Sequence, residues 1–333
     1  MKSKHKRIVT IWLYTGLVSI ALMVIVGGIT RLTNSGLSMV EWKLIDGAIP
    51  PLNEQQWQEK FEKYKQFPEY QIINNRMQLD QFKLIFFWEY IHRLLGRVIG
   101  IIFIIPFIFF WLRKWLNNKQ KKQLLFLLLL GGFQGFLGWF MVQSGLIDVP
   151  DVSHYRLAIH LIFAFGIMCY IFNLILNINE VEKKPNYLIY KLSKWLMLAL
   201  IIQIIYGAFV AGLKAGYLLP QNGSFLENIF GYTIRETNDF NLISNGIDIQ
   251  AFHRLFAWVV FSIVILILIK TKKTELAKLG FIIFYLTITQ IALGIITLLS
   301  RVQLHTATSH QFIAIFLLLS AVHLNYISTE KSQ

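Results

Sequence analysis

Long apolar runs separated by short polar segments are the main pattern of this 333-residue chain. Each run holds about 18 residues or more with almost no charge, which is enough for a helix to cross a bilayer. The runs are continuously apolar, whereas the strands of a transmembrane barrel alternate with a period of two. The pattern therefore predicts an all-α polytopic membrane protein with eight transmembrane helices. The predicted spans are 8–28, 84–112, 123–143, 156–178, 192–213, 251–269, 279–299 and 306–326.

Basic residues are concentrated on one side of these spans. The segments 2–7, 113–122, 180–194 and 270–278 hold 17 lysines and arginines against three acidic residues, whereas the long loop 29–83 has seven of each. By the positive-inside rule, this asymmetry predicts a multi-pass protein of the cell inner (cytoplasmic) membrane with both termini in the cytoplasm. The net charge of +14 is then explained by orientation and contact with the lipid bilayer, and not by binding to nucleic acid.

Two halves of the chain repeat the same features in the same order. Both carry a His-Arg-Leu triplet, at 92–94 and at 253–255. Each half contains four spans and starts on the same side, so the repeat is parallel. We expect two four-helix bundles related by a pseudo-twofold axis, the first formed by residues 1–180 with the outer loop 29–83, the second by residues 181–333.

Four histidines fall at matching places in the two halves: His92 and His160 in the first, His253 and His310 in the second. Each lies in the first turns of a span that begins on the outer side. An ionisable residue within the bilayer is costly and therefore indicates a function, and facing helices of a bundle commonly hold cofactors. The two pairs predict two bis-histidine sites, for which haem iron is the leading candidate.

Arginines accompany the histidines. The clean apolar part of the second span, 98–112, is too short to cross the bilayer alone, so its helix must begin earlier and include Arg93 and Arg97. The planar guanidinium group suits a haem propionate. Arg254 repeats the arrangement in the second half. We therefore predict these three arginines as propionate partners.

One acidic position distinguishes the two halves. Glu89 of the first half corresponds to Gln250 of the second. A carboxylate beside a haem can move protons or stabilise a cationic intermediate, and a glutamine cannot. The difference predicts chemistry in the first half and an electron-transfer cofactor in the second. The alternative for Glu89 is a purely structural ion pair with Arg93 or Lys83.

Other functions use similar features. One alternative is that the intramembrane histidines bind no cofactor and serve simply as hydrogen-bond partners between helices. A dihaem cytochrome b-type quinone oxidoreductase also pairs histidines in a bundle, but it moves electrons between haems on opposite sides, whereas these four histidines fall on one side. A transporter built on the repeat would have broken helices at the midplane, for which Pro106 is the only candidate.

Several motifs resemble those of haem A synthase, a family of aerobic bacteria and mitochondria that converts haem O to haem A. The resemblance extends from Gly27 to His310. The outer loop, with Glu-Trp-Lys at 41–43 and Ile-Pro-Pro-Leu at 49–52, is similar to the α-proteobacterial and mitochondrial form, and it lacks the cysteine pair of another branch. The most specific motifs are GGITRLTNSGLS at 27–38, EYIHRLLGR at 89–97, YRLAIH at 155–160 and HQ at 310–311.

The resemblance implies oxidation of the C8 methyl group of haem O to a formyl group through hydroxylated intermediates. It implies Glu89 as the catalytic carboxylate, with the substrate haem O between His92 and His160. It further implies a haem b cofactor whose iron is ligated by His253 and His310. Haem O synthase and the cytochrome oxidase assembly machinery are the implied partners, and a homo-oligomer is compatible with the sequence.

Overall fold

The computed structural model describes residues 2–41, 46–147, 149–218 and 241–330, and these residues form helices and no strands. Eight helices are long and apolar enough to cross a membrane, and each predicted span falls on one of them. The all-α polytopic fold class is confirmed. The eight are α1 (Ser3–Leu32), α3 (Leu79–Leu112), α4 (Asn118–Gln143), α5 (His154–Ile178), α6 (Tyr187–Gly212), α7 (Gly246–Thr271), α8 (Ala277–Leu299) and α9 (Leu304–Ser328).

The helix α3 begins well before its apolar part, as predicted. A capping box joins Gln78 and Gln81 at its start, so the polar residues around His92 lie inside a continuous helix. Pro106 also lies inside α3. Because proline lacks an N–H, the carbonyl of Ile102 loses its intrahelical partner. The indole Nε1 of Trp12 in α1 donates to that carbonyl at 2.8 Å and thereby fixes α1 against α3.

The chain divides by contacts into two compact units, Met1–Ile167 and Met168–Gln333. In the first unit, α3 packs against α1 and α4. In the second unit, α6 packs against α7 and α9, and α8 packs against both of those helices. The boundary between the units lies inside α5. The division at residue 180 rests on the sequence repeat, and it stays a prediction together with the pseudo-twofold axis.

The outer loop contains a further helix that the hydrophobic pattern did not predict. It is α2 (Glu54–Tyr64), which begins after Asn53, whose side chain accepts a hydrogen bond from the backbone N–H of Gln56 at 2.9 Å. A short π-helix follows at Glu69–Ile73. The apolar residues of α2 are spaced for one helical face and pack on the N-terminal end of α3. The resulting buried cluster comprises Phe61, Tyr64, Phe82 and Phe86.

Candidate functional site

Each of the four predicted histidines packs against a glycine of another helix. On Gly27 of α1, a Cβ atom would lie 2.9 Å from Cε1 of His92 in α3. The other three pairs repeat this contact at 3.1 Å. Such distances are shorter than ordinary contacts of a methyl group, so each glycine leaves a slot that an imidazole fills. The slot pairs are Gly27–His92, Gly138–His160, Gly207–His253 and Gly294–His310.

The structure brings the two histidines of the second half together. The ring centroids of His253 and His310 are 6.5 Å apart, and the ring planes are inclined by 78°. Two metal–nitrogen bonds of about 2 Å each, placed between two imidazoles, require a separation of this order. The Nδ1 atom of His310 lies 3.0 Å from the backbone carbonyl of Gln290, to which it can only donate. The Nε2 atom of His310 then carries the lone pair that iron ligation requires, and the side-chain amide of Gln290 lies 3.4 Å from it.

The histidines of the first half belong to the same compact unit. Each fills a glycine slot and is only partly buried. The amide Nε2 of Gln134 lies 3.2 Å from Nδ1 of His160 and donates to the backbone carbonyl of the same residue at 3.1 Å. The structure thus shows His253 and His310 side by side, and the pairing of His92 with His160 stays a prediction.

Two imidazoles per site suit a haem better than a bare metal ion. Among the described residues, no group of three or more histidine, cysteine, aspartate or glutamate side chains could hold a metal. A haem needs only two protein ligands, because its macrocycle supplies the others. Among the described residues, Nδ1 of His92 is buried and has no hydrogen-bond partner. The residues present therefore fit an iron porphyrin in each half.

Glu89 is buried beside the first pair, with only 3% of its surface exposed. Its Oε2 accepts hydrogen bonds from Ser38 Oγ at 2.7 Å and from the backbone N–H of Met39 at 2.8 Å. Its Oε1 accepts from Nη2 of Arg93 at 2.5 Å. The ion pair with Arg93 that the sequence left as an alternative is therefore present, whereas Lys83 pairs with other carboxylates.

The arginines of the first half contact the outer loop. Arg93 donates to the carbonyls of Met39 at 2.8 Å and Glu41 at 3.1 Å, in addition to Glu89. A Cβ atom on Gly47 would lie 2.8 Å from Nη2 of Arg97, so the loop runs directly over that guanidinium. Residues 39–41 and Gly47 of this loop therefore lie against the arginines of the site.

The second half repeats this frame with neutral partners. Gln250, at the position equivalent to Glu89, is 2% exposed. Its Nε2 donates to the carbonyl of Ala215 at 3.0 Å, and its Oε1 accepts from Nη2 of Arg254 at 3.1 Å. The same helical spacing thus holds a carboxylate–arginine pair in one half and an amide–arginine pair in the other. The asymmetry read from the sequence lies at equivalent sites of the fold.

Three contributors to the site were not assigned from the sequence. Ser38 and the N–H of Met39 bind Glu89, and Gly47 admits Arg97. Ser38 belongs to a specific motif, but its partner is about 50 residues away and is not readable from spacing. The four slot glycines carried a signal, because each lies at a corresponding place near the C-terminal end of its helix.

The slots predict the effect of adding a methyl group. A Gly27→Ala variant is expected to displace the His92 ring and reduce the total haem content. A Gly16→Ala variant on the same helix meets no described atom within 4 Å, and we expect a gain of about 1 kcal/mol from helix propensity. Pyridine haemochromogen assays and thermal unfolding in detergent measure the two effects. Equal haem loss in both variants, or in neither, would contradict the slot.

The chain is similar in sequence to known proteins of one family. Residues 10–322 match the cytochrome oxidase assembly protein family. The chain is similar to a haem A synthase of Flavobacterium johnsoniae, with 44% identity over 334 residues that cover 96% of each protein. It is 43% identical to the haem A synthase of Flavobacterium psychrophilum, covering 96% of this chain and 98% of the relative. The haem A synthase of Rickettsia felis is 42% identical, with coverage of 94% and 96%.

Proposed function

We propose that this chain, which belongs to the haem A synthase family of cytochrome oxidase assembly proteins, oxidises the C8 methyl group of haem O to a formyl group. The observation that carries the proposal is the inequality of two otherwise equivalent sites. Both offer two imidazoles, but only the first has a buried carboxylate, Glu89, at the position where the second has Gln250.

In this proposal the first half binds the substrate. His92 and His160 hold haem O by its iron, and apolar helix surfaces receive its hydrocarbon tail. Glu89 accepts protons as the methyl group is oxidised through hydroxylated intermediates. Ser38, Met39 and Arg93 hold both carboxylate oxygens in one position, and fixed geometry is what a general base requires.

The second half holds the cofactor. His253 and His310 would hold a haem b there through its iron, and their separation and the Nδ1 hydrogen bond of His310 support this role. A haem b held there would accept the electrons leaving the substrate one at a time and pass them to an external acceptor. Arg254 supports a propionate there. In the first half Arg93 and Arg97 are the propionate candidates, and the guanidinium of Arg93 also binds Glu89 and two loop carbonyls.

The charge asymmetry supports a location for the site. Cytoplasmic termini in the cell inner membrane follow from the 17 basic residues on one side, and they place the four histidines toward the outer face. Haem O synthase on the supply side and the cytochrome oxidase assembly machinery on the delivery side are the partners that this reaction needs. The lipid bilayer gives both haems a common route, and a homo-oligomer remains compatible with this scheme.

Haem analysis tests the proposed reaction. Purified protein from cells that make haem O is expected to contain haem b, with haem O and haem A in addition. Acid extraction followed by chromatography and mass spectrometry identifies them, and a reduced-minus-oxidised spectrum reports low-spin haem. Unchanged haem O in cells that carry the active chain would contradict the proposal and favour the dihaem electron-transfer alternative.

A further inference from the structure

A glutamine lies one helical turn before three of the four slot glycines. The pairs are Gln134 with Gly138 on α4, Gln203 with Gly207 on α6, and Gln290 with Gly294 on α8. Residues four apart lie on the same face of a helix. The glutamine and the glycine of each pair therefore contact the same histidine ring.

The contacts of the three glutamines are alike. Nε2 of Gln203 donates to the backbone carbonyl of His253 at 2.9 Å and lies 3.5 Å from the ring Nε2. Gln134 makes the corresponding carbonyl contact at 3.1 Å to His160. Nε2 of Gln290 lies 3.4 Å from the ring Nε2 of His310. The Nδ1 atom of the same ring lies 3.0 Å from the backbone carbonyl of Gln290. Each glutamine thus contacts the ring of one histidine, and Gln134 and Gln203 also hold that histidine's backbone carbonyl.

The side-chain amide oxygens of these glutamines are buried and unsatisfied. Within the described part of the chain, Oε1 of Gln134, Gln203 and Gln290 has no hydrogen-bond partner. A buried unsatisfied carbonyl costs about 1–3 kcal/mol. A glutamine amide carries two donors and an acceptor, so it can bind a backbone carbonyl and also receive the Nδ1–H of an iron-bound imidazole. Such outer partners fix the tautomer and the ring plane of a metal ligand.

The remaining slot departs from this pattern. One turn before Gly27 stands Met23, whose thioether cannot make the hydrogen bonds of an amide. A Cβ atom on Gly96 would lie 3.4 Å from Cε of Met23, so this side chain packs on α3 itself. Nδ1 of His92 is buried and, among described atoms, lacks a hydrogen-bond partner, as does Nδ1 of His253; the difference is that Gln203 holds the backbone carbonyl of His253. His92 is thus the one slot histidine without a glutamine on the facing helix.

We propose that Gln134, Gln203 and Gln290 are positioning residues for axial imidazoles, and that Met23 leaves His92 as the ligand that yields when a haem enters or leaves. The inference rests on the proposed function, because only a substrate haem needs to exchange. Two held ligands make the second-half haem permanent. One held and one yielding ligand make the first-half haem replaceable while His160 keeps its orientation.

Carbon monoxide tests the positioning role without reference to haem A formation. Reduced haem with two firm imidazoles does not bind carbon monoxide, and a loosened ligand admits it. We expect Gln203→Leu and Gln290→Leu to raise the fraction of carbon monoxide-reactive haem about tenfold, in line with outer-partner losses at metal sites. We also expect both to shift the midpoint potential of the second-half haem. Gln143→Leu, nearer the end of α4, is the matched control and should change neither property.

Met23→Gln tests the exchange role by adding a group. In protein loaded with haem O, we expect this variant to bind carbon monoxide at the first-half haem several-fold less than the parent chain. Unchanged carbon monoxide binding in the Gln203 and Gln290 variants, or an equal change in the control, overturns the positioning role. An unchanged or raised reaction in Met23→Gln overturns the exchange role. Absence of haem A in the parent chain overturns the proposed function alone.

Discussion

Replacing Glu89 with glutamine is expected to stop haem A formation while both haems remain bound. Loss of a general base lowers a rate by roughly 10²- to 10⁴-fold. The fold should tolerate the change, because the second half already holds a glutamine–arginine pair, Gln250 with Arg254 at 3.1 Å. Chromatography of extracted haems measures conversion, and the pyridine haemochromogen assay measures binding. The expected product profile is haem b with unconverted haem O.

A second buried carboxylate supplies the control for this variant. Glu69 is 5% exposed and accepts a hydrogen bond from the hydroxyl of Tyr64 in the outer loop. We expect Glu69→Gln to lower stability and leave conversion intact, because it removes a carboxylate that binds Tyr64 and leaves the bonds of Glu89 to Ser38, Met39 and Arg93 in place. Full haem A production by Glu89→Gln would remove the carboxylate from the mechanism. Equal loss in both variants would indicate a general effect of the outer loop.

His310→Ala and His253→Ala are expected to remove haem b from the second half and, with it, nearly all conversion. Each variant leaves one imidazole and an empty slot, so a haem bound there loses one of two iron bonds. Haem O should remain in the first half, because His92 and His160 are untouched. The expected result is protein that holds unconverted haem O and little haem b. Haem extraction and the low-spin absorption of the reduced protein report both changes.

His323→Ala is the matched control on the same helix as His310. Its ring contacts Phe172 edge to face and lies away from the slot glycines. We expect this variant to keep both haems and full conversion. Retention of haem b in His310→Ala would contradict the axial assignment. Loss of haem O, with haem b retained, would reverse the roles proposed for the two halves.

The transmembrane helices were predictable because the free energy of placing a helix in lipid is summed over about 20 residues, so single exceptions do not hide the signal. Continuous apolar runs identified all eight, and the short run at 98–112 correctly required an earlier start for α3. The helix α2 was missed because it is polar on most of its surface. Its signals were the cap at Asn53 and the apolar spacing of Trp57, Phe61 and Tyr64, which a search for long apolar runs passes over.

The sequence predicted only those residues of the candidate site that are energetically costly to place in a bilayer. Histidines and Glu89 are conspicuous in apolar helices, and the repeat related them to each other. Their immediate neighbours are small or weakly polar, such as Ser38 and Gly47, and their contacts join positions far apart in the chain. Arg93 shows the limit of chemical type alone: a guanidinium suited to a propionate here binds a carboxylate and two loop carbonyls.

The order of the slot pairs has a consequence for biogenesis. In every pair the glycine precedes the histidine along the chain: Gly27 before His92, Gly138 before His160, Gly207 before His253 and Gly294 before His310. Synthesis proceeds from the N-terminus, so the receiving helix is made before the helix that carries the imidazole. A polar side chain entering hydrocarbon is costly until it is covered. Each histidine therefore enters the bilayer after its docking surface has been synthesised, and insertion need not await the arrival of haem.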